Sequence, residues 1–219
     1  MKRNFILFLL VITTISSFAY KEKWDEPIHR KEWTKLMLAI YNGETDKYHK
    51  IISQGANVNQ KGFHQTALDV AVLRQNIDAV RTLLQTNRIK NLDSSLDLAA
   101  GRHNALIVEL LLKHGANPNF ALTNGHSVLM TAINFGSLDV VKCFLKYNAN
   151  VNQTRTTDGM TPLMFAALAG DSQKVRLLLY YKANKKTKDL NGKTALEWVN
   201  DSQSNASEKS KSELRILLR

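Results

Sequence analysis

The chain has 219 residues, 44% hydrophobic and 22% charged, a composition that excludes both a disordered polymer and a multi-span membrane protein. Three prolines and ten glycines are too few for a sandwich or barrel of many tight turns, and the Leu- and Ala-rich sequence leans helical. The formal charge is +11, and a single cysteine, Cys143, excludes an intrachain disulfide framework, so packing alone must supply stability.

Residues 1–19 read as a signal peptide. Lys2 and Arg3 form a positive start, Phe5 to Ile15 are apolar, and Ser17-Phe18-Ala19 offers small residues at the positions a signal peptidase accepts. Eleven apolar residues fall short of the roughly 20 that a spanning helix needs. Cleavage near Ala19 is expected, the alternative being an uncleaved anchor. The mature chain is then exported, periplasmic or secreted, with no stable membrane insertion. Loss of Lys2 and Arg3 leaves a formal +9. In an exported protein that balance points away from nucleic acid and toward acidic proteins, anionic envelope polymers or membrane surfaces. A lysine-rich surface serving solubility is the plainer reading. Residues 20–33, YKEKWDEPIHRKEW, are charged and read as a polar N-terminal cap.

From Thr34 onward a pattern recurs: Thr or Ser, then Leu two residues later, then Ala or Val three residues after that. Its six occurrences start at Thr34, Thr66, Ser94, Ser127, Thr161 and Thr194, at spacings of 32, 28, 33, 34 and 33 residues. An apolar pair keeps step behind the first five: Ile51-Ile52, Leu83-Leu84, Leu111-Leu112, Phe144-Leu145 and Leu178-Leu179. Twenty-one residues behind each Thr or Ser stand Gly55, Asn87, Gly115, Asn148 and Lys182. Glycine and asparagine tolerate the left-handed backbone that ends a helix, so a strained or differently built end is expected at Lys182.

Each copy thus reads as a short helix from the Thr or Ser, a turn, a second helix carrying the aliphatic pair, and an extended loop. Asp46, Asp78 and Asp139 fall in the first turn of a second helix, where the positive dipole end favours carboxylates. Neither helix of a pair can bury its apolar stripe alone, so neighbouring copies must stack. Residues 200–219 read as a polar loop and a capping helix in which Leu214, Leu217 and Leu218 cover the last pair.

This unit resembles the ankyrin repeat. Asp189-Leu-Asn-Gly192, Thr161-Pro-Leu, and the runs Gly55-Ala-Asn-Val-Asn59, Gly115-Ala-Asn-Pro-Asn119 and Asn148-Ala-Asn-Val-Asn152 carry the likeness, over residues 34–199. The resemblance implies an all-α ankyrin-repeat solenoid of about six helix-turn-helix units with short hairpin-like fingers. The third copy is short by about five residues, so its finger is expected to be truncated. The family's histidine after Leu is replaced by Met37, Asp69, Asp97, Met130, Met164 and Glu197, so the Thr–His link is missing and weaker units are expected.

Catalytic and metal chemistry finds no foothold in the pattern. His29, His49, His64, His103, His114 and His126 lack zinc-type spacing, and no phosphate-binding glycine loop or nucleophile elbow occurs. Asp69 and Asp97 suit a structural role at helix ends better than acid–base work. Cys143 reads as a packed thiol, and Trp24 and Trp198 as capping contacts. No enzyme activity and no cofactor are expected.

The resemblance further implies that finger tips and outward positions of the first helices form a concave surface for a protein partner, and the basic charge balance points to an acidic one. Position by position that surface takes in Trp33, Tyr41, Phe63, Arg74, Arg102, His126, Asn134, Phe135 and Met160. Aromatic and arginine side chains of this kind carry interface energy. The expected function is a non-catalytic, exported protein-interaction module. Its alternatives are a secreted effector acting on a host protein and a basic binder of polyanions or membrane surfaces.

Overall fold

In the computed structural model the described residues are 32–201 and 203–219. The signal-peptide reading, Trp24 and most of the polar cap lie outside them. The described residues contain twelve helices and no strand beyond the isolated bridges Gly62–Gln65 and Ala121–Ser127. The chain divides into two units, up to Leu83 and from Leu84 on.

In unit 1, α1 (Lys35–Tyr41) packs against α2 (Thr45–Ser53) and against α3 (Ala67–Leu73), with α4 (Ile77–Gln85) running through the boundary. Thr34 and Thr66 are the N-caps of α1 and α3, their side chains accepting from the Met37 and Asp69 amides. Tyr48 on α2 is fully buried, and its hydroxyl donates to Asp78 Oδ2 on α4 at 2.6 Å.

Unit 2 repeats the arrangement. First helices α5 (Asp93–Ala100), α7 (Val128–Phe135), α9 (Pro162–Ala169) and α11 (Ala195–Val199) pack in series. So do second helices α6 (Ala105–Lys113), α8 (Leu138–Lys146), α10 (Ser172–Tyr180) and α12 (Glu208–Leu218). Leu111, Leu112, Phe144, Leu145 and Leu178 lie in the core, Leu179 is half-buried, and Leu214 and Leu218 of α12 are buried at the far end. Cys143 is buried, and burial pushes its thiol up to about 11, so it is a packing residue.

The helix ends follow one rule. Gly55, Asn87, Gly115, Asn148 and Lys182 all have left-handed φ, between 54° and 93°. Lys182, at φ 68°, therefore ends its helix as the others do and carries the strain of a side chain there. In four of the five, the first residue of the aliphatic pair accepts a backbone bond five residues on: Ala56 N to Ile51 O, Ala116 N to Leu111 O, Ala149 N to Phe144 O, and Ala183 N to Leu178 O. That bond closes a Schellman turn and fixes the exit direction of the loop.

Two expectations change. The Thr–His link has a substitute: Thr66 N and Oγ1 both donate to Asp69 Oδ2 at 2.8 Å, and Glu197 Oε2 receives the same pair from Thr194. A carboxylate at that position satisfies the cap as an imidazole would. Met130 and Met164 offer only sulfur, at 3.5 and 3.4 Å from the Ser127 and Thr161 amides. In the third copy the helix begins at Asp93 with Leu92 as N-cap, two residues before the expected cap Ser94, because the link from Asn87 runs straight into it with no finger. Asp97 then lies inside α5 rather than at its end and accepts from Thr131 Oγ1 of α7 at 2.9 Å. Burial raises its carboxyl above the usual range, opposed by that hydroxyl.

The loops of unit 2 are tied by an asparagine ladder. Asn117 N donates to Asp93 Oδ1, Asn150 N to Asn119 Oδ1 and Asn184 N to Asn152 Oδ1, at 2.8, 2.6 and 2.8 Å. Between these rungs, Asn117, Asn150 and Asn184 accept from the amide two residues on. A buried lysine adds a second tie. Lys174 Nζ donates to the Ile133 and Gly136 carbonyls at 2.6 and 3.0 Å, closing the C-terminal end of α7 from α10.

Each rung leaves a backbone amide unpaired when removed. Asn119→Ala and Asn152→Ala are expected to lower unfolding free energy by about 1 kcal/mol each in urea titrations. Asn191→Ala, on an exposed side chain, should change it by no more than a few tenths.

Candidate functional site

The candidate face consists of fingers and the ends of first helices, and each unit carries its own part. In unit 1, Tyr41 closes α1 and Arg74 is the C-cap of α3, which sets the guanidinium 4.6 Å above the Tyr41 ring. Trp33 meets the same ring edge-on at 5.3 Å but is only 9% exposed. It is a buttress behind Tyr41 and not a displayed contact, a correction to its expected role. Arg74 itself is exposed and forms no ion pair with any described residue.

The unit 1 finger is a two-residue hairpin. Gly62 and Gln65 exchange backbone bonds, and Phe63 and His64 between them have φ of 47° and 68°. Such a turn demands left-handed backbone at both central positions, which glycine or asparagine would meet without strain. A phenylalanine held there, half-buried beside His64, is an outlier worth a functional reading.

In unit 2, Phe135 is the last residue of α7, lies against Gly101 and is half-buried; Asn134 beside it is exposed. Arg102 follows α5, is half-buried and makes no ion pair with any described residue. His126 stands in the finger before α7. Its ring meets Phe165 of α9 edge-on at 5.5 Å, and burial, then the charge of Arg155, depress its pKa to about 4 against a weaker pull from Asp158.

Arg155 and Asp158 were not among the expected site residues, and they organise this part. Arg155 Nε donates to Asp158 Oδ1 at 3.0 Å, its Nη2 to Asp158 Oδ2, and its guanidinium lies 4.7 Å over Phe165. The pair folds over Met160, whose sulfur is 3.8 Å from Nη2 and whose side chain is 3% exposed. Met160 is therefore core, correcting its assignment to the surface. A signal for the pair existed in the spacing, since Arg155 precedes Asp158 by three residues in the finger. Adjacent fingers touch: Thr156 N donates to Asn124 O and Leu190 N to Asp158 O, and a Cβ on Gly125 would stand 2.5 Å from Thr156 N. That approach requires glycine.

Together the expected residues give Tyr41, Arg74 and Phe63 in one unit and Arg102, His126, Asn134 and Phe135 in the other. Trp198 is buried, donating from Nε1 to Asp189 Oδ2 at 3.0 Å beneath Lys193. Among the described residues no three His, Cys, Asp or Glu side chains form a metal-holding group, and no helix is long and apolar enough to cross a membrane. An aromatic and cationic face of this kind can grip a protein surface.

A family profile described as ankyrin repeats matches residues 96–189 in three copies. An ankyrin repeat protein of fowlpox virus (strain NVSL) is 28% identical over 191 residues, covering 80% of this chain and 53% of that protein. One from Rickettsia felis is 30% identical over 185 residues, 84% of this chain and 66% of its own length. Relatives named as enzymes are similar too: a glycerophosphocholine phosphodiesterase of Schizosaccharomyces pombe is 28% identical over 143 residues, 62% of this chain but 12% of that protein. The chain thus spans about half the length of the fowlpox relative and less of the enzyme. The crystal structure of the ankyrin repeat domain of Bcl-3, a member of the IkappaB family, matches in fold with a TM-score of 0.69 at 19% identity, over 84% of this chain and 98% of that one. Repeats of this kind are in general protein–protein interaction modules. The chain belongs to the ankyrin repeat proteins.

Proposed function

We propose that the chain is a non-catalytic, exported interaction module that docks a protein partner on its finger and first-helix face. The observation that carries this reading is a set of cations without acid partners set among aromatic rings: Arg74 above Tyr41 in unit 1, and Arg102 on the same face as Phe135 in unit 2. An unpaired guanidinium beside an aromatic surface favours an acidic partner, because the incoming carboxylate gains a planar donor without displacing an existing pair. The left-handed Phe63 supports the reading, since a bulky side chain held in a strained turn is kept by something other than local stability. Export rests on Lys2, Arg3, the apolar run 5–15 and Ser17-Phe18-Ala19.

Capture from the source's envelope or medium tests the face. The parent chain should retain a protein that the Arg102→Ala, Phe135→Ala variant retains at least about tenfold less well, with Arg74→Ala weakening it further. Equal capture by parent and variants would remove the face from consideration. For export, mass spectrometry of the mature protein should give Tyr20 as the first residue; a chain still starting at Met1 outside the cytoplasm contradicts cleavage.

Acidity should loosen the unit 2 part of the face. The unfolded His126 ring binds its proton near 6.5 and the folded one only near 4, so between these pH values the unfolded state holds more protons and stability rises with pH. Going from pH 7 to pH 4 should cost the parent about 2–3 kcal/mol more than it costs His126→Gln, read from urea unfolding.

A further inference from the structure

A second surface stands where α10 and α12 end. The two helices pack together, Arg176 pairing with Glu213 at 2.7 Å, and from the segment after α10 Lys185 Nζ donates to Leu217 O at 3.4 Å. Tyr180 is the last residue of α10, and Ile216 lies in the last turn of α12, the turn that Lys185 reaches from the segment after α10. Tyr180 is 78% exposed and Ile216 75%, and Tyr181 packs edge-on against Tyr180 with ring centres 5.4 Å apart. Immediately after, Lys182, Lys186 and Lys188 are exposed and form no ion pair with any described residue.

The missing acids distinguish this patch from an ordinary solvated face. Between residues 174 and 196 the only carboxylate is Asp189, which is buried with its oxygens accepting from the Asn191 and Lys193 amides and the Trp198 indole. Lys188 does act on Glu197, but that carboxylate is already bonded to the Thr194 amide and hydroxyl. Elsewhere on unit 2, Lys113 and Lys146 share Glu109, and Lys142 meets Asp139.

A tyrosine and an isoleucine projecting from adjacent helix ends beside unpaired lysines match one kind of boundary, where an apolar layer meets water that carries negative charge. Tyrosine places its ring in the apolar zone with its hydroxyl wet, and lysine stems lie along apolar surface while the ammonium reaches the charge. An acidic peptide would use the lysines but leave Tyr180 and Ile216 in water. We infer that this patch rests on an anionic lipid surface, Tyr180 and Ile216 entering the headgroup boundary while Lys182, Lys186 and Lys188 lie over anionic headgroups. The patch shares no residue with those assigned to the finger face, so variants of either can fail without the other.

Co-sedimentation of the full chain with phosphatidylcholine vesicles, with and without phosphatidylglycerol as the anionic component, tests the inference. The parent should bind the anionic vesicles in a salt-sensitive way. Each lysine contributes roughly fivefold near such a surface, so Lys182→Gln, Lys186→Gln and Lys188→Gln together should weaken binding on the order of a hundredfold. Tyr180→Ser with Ile216→Ser should weaken it by about tenfold or more while leaving the salt sensitivity in place. Neutral vesicles report any contribution of the apolar run 5–15, which is the same in all three proteins. All five positions are exposed, so thermal unfolding of the variants should coincide with that of the parent and confirm their fold. Failure of the parent to bind anionic vesicles, equal binding by parent and lysine variant, or binding to heparin or an acidic peptide without binding to vesicles would each overturn it.

Discussion

Every helix pair in this chain carries more apolar surface than its own two helices can cover, and that shortage governs the rest. In α9 six consecutive residues, Pro162 to Ala167, are buried, although an amphipathic helix would leave half of them wet. They are covered by α10 of the same copy and by α7 and α11 of its neighbours. At roughly 25 cal/mol per Å² of apolar surface removed from water, the gain belongs to the stack and not to a copy, and small residues such as Ala132 and Ala166 let the helices approach closely enough to collect it.

Stacking alone leaves the backbone ends of many short helices and loops to be satisfied, and the structure does this with side chains of the same copy and of its neighbours. Asparagines tie loop to loop, Lys174 closes the end of α7, and Asp69 and Glu197 complete caps in which a methionine stands elsewhere. These bonds are individually modest. Their value is geometric: they set the angle at which the chain leaves each helix and therefore where each finger points.

Most of the fold was legible because it rests on spacing. Thr34, Thr66, Ser127, Thr161 and Thr194 are N-caps, and Gly55, Asn87, Gly115, Asn148 and Lys182, twenty-one positions after the first five Thr or Ser, all turn left-handed. Lys182 looked exceptional because propensity was weighed against position; the Schellman bond from Ala183 to Leu178 holds the turn regardless of side chain. What spacing could not give was substitution of chemistry. A carboxylate doing an imidazole's work, or Asp97 moved into the body of α5 by the absence of a finger, depends on three-dimensional neighbours. The site was legible to the same degree. His126 and Met160 occupy the same place, one residue before an N-cap, yet one is half-exposed and the other buried. Periodicity treats them as equivalent; the ion pair of Arg155 with Asp158, present in only one of the two fingers, separates them.

The asparagine ladder also limits how this chain can vary in length. Asn119 reaches Asn150, and Asn152 reaches Asn184, each spanning one copy with no slack. An added residue between an asparagine and its helix would pull a rung out of reach and be felt by the copy next door. The finger tips are tied as well, Thr156 N to Asn124 O and Leu190 N to Asp158 O, so a residue added there would also be felt by the neighbouring copy, and recognition can change by exchange of side chains more readily than by growth of loops.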